Sequence, residues 1–169
     1  MTTLSAAFLL LICTVACNRN ETFIERAEGA PLMLGAFESY ATEGVVRSAL
    51  GSLPVEVLER SGLPDGDARP PYTIVALRIR HYTHLGSAGE LHLTLFNDRL
   101  MNALFYPQDL QGYQTALKAH GLDVPVGPNG LQDGVVHLSM ARDYRGAHYV
   151  GWVDTRLEAQ SRRWISRYS

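Results

Sequence analysis

Tyr72–Tyr106 reads YTIVALRIRHYTHLGSAGELHLTLFNDRLMNALFY, and this stretch decides the fold. Val75, Leu77 and Ile79 alternate with Ala76, Arg78 and Arg80, the period-2 pattern of a half-buried strand. Leu91, Leu93 and Leu95 alternate in the same way with His92, Thr94 and Phe96. The segment His84–Gly89 carries two glycines that can reverse the chain. Asn97-Asp98 sits between two apolar runs and suits a two-residue hairpin turn, although the usual glycine is missing. A third strand from Arg99 to Tyr106 is stopped by Pro107. The reading is a three-stranded antiparallel meander. A symmetric first loop sets Ile79 opposite Leu93, Leu77 opposite Leu95 and Arg80 beside His92. The same register turns Asn102 onto the leucine face, which conflicts with a fully apolar core side.

Outward from the meander, Phe37–Leu50 reads as a helix with Thr42 as candidate N-cap, and Pro54–Arg60 as a second, short one. Gly62–Pro71 is a turn-rich connector. Asp109 caps a helix that runs to His120. Residues 122–133 read as a loop. Val135–Met140 and His148–Val153 form a second hairpin around Arg142–Gly146, and Asp154 caps a last helix, Thr155–Tyr168. The expected class is α+β: an antiparallel sheet, the meander plus the second hairpin, covered by helices on one face. If the two hairpins join, the sheet has about five strands.

Residues 1–16 read MTTLSAAFLLLICTVA, an uncharged apolar run from Leu4 to Val15. It is shorter than the about 20 residues a spanning helix needs and has the length of a signal-peptide core. Ala16-Cys17 follows, and the segment resembles the bacterial lipoprotein signal. The resemblance implies cleavage before Cys17 and lipid modification (palmitate included) of that residue. It departs from the family pattern in having Thr14 where Leu is usual, and no Lys or Arg at its start. Asn18 takes the place where Asp retains such proteins at the inner membrane, so the resemblance implies the outer membrane and its periplasmic face. On this reading 1–16 is the signal peptide, 17–31 a tether in which Phe23 and Ile24 can dock, and 32–169 a single domain.

The chain has two cysteines, and the mature part keeps only Cys17, so no disulfide, thiol chemistry or cysteine–metal site is expected. The net charge of −2 gives no footprint for nucleic acid. No triad, zinc motif or glycine-rich phosphate loop is present, so neither an enzyme nor a cofactor is expected. His81, His84 and His92 could form a metal set, but the register places His81 and His92 on opposite faces. Asp98 reads as a turn residue, and Asp143, Arg145 and His148 cluster at the second hairpin without a nucleophile. Candidate interface positions are Arg78, Arg80 and His92 on the outer sheet face, Tyr106 and Tyr144 beside the hairpins, and Arg163 on the last helix. Tyr and Arg are enriched where interfaces concentrate their energy. A solvated sheet face also needs outward charge. Trp152, Trp164 and Tyr168 fall on periodic apolar positions and read as core.

Together these point to a lipid-anchored, non-enzymatic adaptor that binds another envelope protein. The alternative is a small-molecule or lipid-binding lipoprotein. From Thr42 to Tyr106 the element order, a helical pair before a meander, is similar to that of small lipoproteins of the outer-membrane barrel-assembly machinery. Nothing beyond Pro107 has a counterpart in that pattern.

Overall fold

The computed structural model describes residues 21–169; the readings on the signal segment, on Cys17 and on Asn18 lie outside them. The fold is α+β. Three helices, α1 (Glu43–Leu50), α2 (Leu110–Ala119) and α3 (Thr155–Tyr168), accompany seven strands: β1 (Glu56–Gly62), β2 (Thr73–His84), β3 (Ser87–Phe96), β4 (Leu100–Pro107), β5 (Gly127–Asp133), β6 (Val136–Arg142) and β7 (His148–Asp154). They form one sheet in the order β1-β2-β3-β4-β7-β6-β5, with every neighbouring pair antiparallel. The meander β2-β3-β4 and the hairpin β6-β7 are present and joined through β4 and β7.

Two strands are additional to the sequence reading. Pro54–Arg60 is not a helix: β1 pairs with the long β2, Glu56 opposite Arg78. Seven residues with three apolar positions are too few to separate the two periods, and tertiary pairing settles the matter. All seven residues of β1 are exposed, so it is held by its ladder and by ion pairs rather than by burial. The helical pair behind the element-order resemblance is therefore one helix and one strand. β5 lies in the span read as a loop, at the sheet's other edge, where Pro and Gly are tolerated.

Two bulges set the faces. Ile79 pairs with Leu91 but Tyr82 with Gly89, so β2 holds one extra residue around Arg80-His81. Leu77 is thus opposite Leu93, and Arg78, not Arg80, lies beside His92. The reversal itself is Leu85-Gly86, both with positive φ. Gly89 sits within β3, where a Cβ would stand 2.4 Å from the Tyr106 carbonyl oxygen. The second bulge, at Met101, sets Leu95 opposite Leu100 but Thr94 opposite Asn102, which turns Asn102 off the leucine face and removes the conflict in the sequence register. Asn97 and Asp98 both have positive φ, as the two-residue turn requires.

One face of the sheet, with Leu77, Ile79, Leu91, Leu93, Phe105 and Trp152, packs under α1 and α2 through Val46, Leu50, Tyr113 and Leu117. α1 begins at Glu43 rather than Phe37: Thr42 Oγ1 accepts the Val45 N–H, and Phe37 is instead buried in the preceding turn with Met33 and Leu34. The helices do not all cover one face. α3 packs Leu157 and Trp164 with Phe96, Ile74 and Tyr72 on the other side, at the end of the sheet where Thr73, Phe96, Leu100 and Asp154 lie. Phe96 alternates against Leu95, so the apolar position read as outward carries a second core.

The lead-in belongs to that second core. Phe23 is buried and meets Tyr168 edge-on at 6.3 Å, whereas Ile24 is exposed. Arg99, also fully buried, donates to the carbonyl oxygens of Phe23 and Glu25, the latter at 2.6 Å, and to Gln160 Oε1 at 3.1 Å. Asn97 Nδ2 donates to the Phe23 and Pro71 carbonyls, each at 2.8 Å.

Candidate functional site

The sheet face opposite α1 and α2 is built by alternation. Cross-strand pairing lays out one row as Glu56, Arg78, His92, Leu104, Gly151 and Ser139, and the next as Glu90, Tyr106, Tyr149 and Ala141. Leu104, Tyr106, Tyr149 and Val153 on this face belong to neither buried core. His92 and Tyr106 have ring centroids 4.8 Å apart, and Tyr106 and Tyr149 are 5.5 Å apart. The three rings form an aromatic strip across β3, β4 and β7, the cross-strand contact that stabilises sheets. Gly151 makes room for it: a Cβ there would lie 2.8 Å from Leu104 and 3.2 Å from the Tyr149 ring.

The strip has two different borders. Toward β1, Glu56 Oε2 accepts from Arg78 at 2.6 Å and from Arg80 at 3.1 Å, and the paired guanidiniums hold the Glu56 carboxyl below its ordinary range. His92 Nε2 bonds Glu90 within β3. Toward the β6–β7 turn stands Tyr144, 88% exposed, with the Arg145 guanidinium 5.1 Å over its ring. Burial first, then the neighbouring Asp143 carboxylate, push the Tyr106 hydroxyl up to about 12, so it is a neutral hydrogen-bonding tip at any physiological pH.

The structure thus brings Arg78, His92 and Tyr106 onto one face with Tyr144 at its margin. Arg80 is on the bulge beside them and shares Glu56. Arg163 is elsewhere, on α3, where it donates to Glu21 at 2.7 Å. Glu56 escaped the sequence reading because its strand was taken for a helix; the alternation of Glu56 with Val57 is too short a signal. Tyr149 is not among the positions singled out from the sequence, because its stacking partner depends on the β4–β7 pairing.

The other polar groups have local structural partners. Asp98 Oδ1 accepts the Glu43 N–H at 2.8 Å and Oδ2 meets Arg26 at 3.3 Å, so it holds the start of α1. Asp143 Oδ1 accepts the N–H groups of Arg145 and Ala147, both at 2.9 Å, and shapes the turn. His148 pairs with Arg142 rather than with Asp143. His84 points into the first core, since the β2 bulge returns Tyr82 and His84 to the leucine side. Its Nδ1 lies 2.6 Å from the Tyr113 hydroxyl, with Phe105 and Trp152 around the ring. Burial lowers the His84 imidazole to about 4, so it stays neutral near pH 7. Burial also raises the Tyr113 hydroxyl. His84 is turned into the first core and His92 onto the open face, and among the described residues no group of three metal-ligating side chains converges. Nor is any helix there long and apolar enough to cross a membrane.

No protein-family model matches the chain, and a comparison with curated proteins also finds no match.

Proposed function

We propose that the chain is a lipid-anchored, non-enzymatic adaptor of the cell envelope, attached through Cys17 to the outer membrane on its periplasmic face. On this reading it binds another envelope protein through the open sheet face. The observation that carries the binding part is the His92–Tyr106–Tyr149 strip, half-buried yet part of neither core, with exposed Tyr144 at one border and the Arg78–Glu56–Arg80 group at the other. An apolar aromatic centre within a charged rim is the anatomy of a protein-binding patch. Anchoring is supported by the lipobox-like Ala16-Cys17 after an uncharged apolar run.

The test is in-cell cross-linking and membrane fractionation of the tagged native protein beside Cys17→Ala. The native form is expected in the outer membrane with a defined envelope protein attached, and Cys17→Ala in the soluble periplasm with little. Identical fractionation of the two removes the anchoring claim.

A second reading, a carrier of a small apolar or lipidic ligand, is favoured by one feature. A cavity of about 370 Å³ opens between the lead-in and the β5–β6 hairpin, lined by Leu32, Met33, Leu122 and Trp152, with Gln132 and Asp133 as polar members. That is within the size range of small-molecule sites. Co-purifying lipid, lost on Leu32→Arg at the exposed rim of the cavity, supports this reading; its absence from gently extracted protein counts against it.

A further inference from the structure

We propose that the exposed face of the C-terminal half of α3 rests on the phospholipid headgroups of the bilayer that holds the anchor, so that the domain is seated on the membrane in one orientation. This inference rests on the acylation of Cys17 put forward above. The reason is the shortness of the connection. Glu21 accepts from Arg163 at 2.7 Å and approaches Arg167 at 3.7 Å. Phe23, two residues on, is fixed in the second core by its buried ring and by Arg99 and Asn97. Four peptide steps separate Cys17 from Glu21, and at about 3.8 Å each they span at most about 15 Å. The headgroup layer is about 5–8 Å thick on each side of the hydrocarbon. Of that span about 5–8 Å lies within the headgroup layer, so a lipid on Cys17 holds the Glu21 side of α3 within about 10 Å of the bilayer surface and favours seating on that side.

That side is suited to headgroups. Arg163 and Arg167, one turn apart, are exposed there, with Arg162 and Ser166 on the adjoining surface and Ile165, 45% exposed, on the flank beyond Arg162. Long guanidinium side chains reach phosphate while their apolar stems lie toward the acyl chains. Glu21 is shared by Arg163 and Arg167, and Glu158 accepts from Arg162 at 2.8 Å, so these three guanidiniums meet two carboxylates and one positive charge is left uncompensated. Guanidinium binds phosphate through paired hydrogen bonds, which makes lipid phosphate a competent partner for it. The seating also agrees with the proposed binding face. α3 runs along the Thr73–Leu100 end of the sheet, whereas Tyr106 and the turn bearing Tyr144 lie at the other end. From Leu100 to Tyr106 the strand rises about 20 Å, which carries the aromatic strip away from the membrane.

The experiment uses the full acylated protein in vesicles of phosphatidylethanolamine and phosphatidylglycerol, with intact mass read first. Because lipid blocks the Cys17 thiol, one added cysteine takes an environment-sensitive fluorophore, at Ser166→Cys on α3 or at Arg145→Cys on the far turn. The Ser166→Cys label is expected to blue-shift and to be quenched by lipid carrying a spin label at the headgroup, and the Arg145→Cys label to read water. Replacing Arg162, Arg163 and Arg167 by Gln together is expected to reduce the Ser166→Cys quenching about threefold, with far-UV circular dichroism unchanged. An acylated protein whose two labels read alike, or whose far-turn label is the quenched one, overturns the seating while the anchor stands. A chain with no lipid mass on Cys17 overturns both. A water-exposed Ser166→Cys label that becomes protected only when an envelope protein is added assigns this face to protein and also overturns the seating.

Discussion

Arg99 is the side chain whose removal tests the architecture most sharply. It is fully buried with no carboxylate in contact among the described residues, and its guanidinium donates to the carbonyls of Phe23 and Glu25 and to Gln160 Oε1, with Nε donating to the Phe96 carbonyl at 3.3 Å. Burial depresses its pKa, a sign that its desolvation is only partly offset. In Arg99→Ala, Phe23 O keeps the Asn97 amide and Phe96 O keeps the Arg99 N–H, so Glu25 O is the carbonyl left most exposed to loss. Two short charge-assisted bonds are worth about 1.5–3 kcal/mol each, and the missing stem adds a cavity cost of about 1–2 kcal/mol. Release from the cost of burying a charge offsets part of this. The expected net loss is about 3–4 kcal/mol, a large share of the about 5–15 kcal/mol of a typical domain. Arg99→Met keeps the stem and drops the charge, so it should lose less, about 1–2 kcal/mol. Urea unfolding of the mature chain carrying Cys17→Ser measures both. Amide exchange at residues 22–27 should quicken in Arg99→Ala before the sheet does. A loss within about 0.5 kcal/mol of zero, with unchanged exchange in the lead-in, would refute the clasp.

Three other outcomes follow from the structure. The buried His84 imidazole, lowered to about 4, is neutral in the native state while the unfolded chain protonates near 6.5, so stability rises with pH across that window and levels off above it. Allowing for partial exposure, the protein should be about 1–2 kcal/mol less stable at pH 5 than at pH 7, and His84→Phe should flatten that slope in chemical denaturation. Gly89→Ala forces a Cβ to 2.4 Å from the Tyr106 carbonyl and 2.6 Å from the Phe105 ring; about 2–3 kcal/mol should be lost, seen as a fall in Tm of about 6 °C. Tyr106→Ser with Tyr149→Ser should remove the aromatic strip at a stability cost of about 1–2 kcal/mol while abolishing partner capture, as checked by calorimetry beside pull-down from solubilised envelope.

Much of the sheet was legible because its signals are local. The Leu91-Leu93-Leu95 alternation marks β3, and Asp109 and Asp154 cap α2 and α3 as read, Asp154 through the N–H groups of Arg156 and Leu157. What was not legible depends on partners distant in sequence. A bulge is one extra residue that no composition marks, yet the two at Arg80-His81 and Met101 decide which face receives His84 and Asn102. β1 buries nothing of its own and exists because β2 offers a ladder. Arg99 reads as the first residue of the third strand in sequence, and only the arrival of the lead-in 74 residues earlier turns it into a buried clasp. The candidate site was legible in residue type, with Arg78, His92 and Tyr106 named, but its continuity needed the β4–β7 pairing that sets Tyr149 beside Tyr106.

The central claim is that the open sheet face, and not the helical one, meets the partner. Photo-crosslinking in cells with a light-activated residue at Tyr144 or Tyr106, and at Gln111 on α2, measures this directly. One defined envelope protein is expected to be trapped from Tyr144 and Tyr106 and none from Gln111. The same band from all three positions, or a band from Gln111 alone, contradicts it.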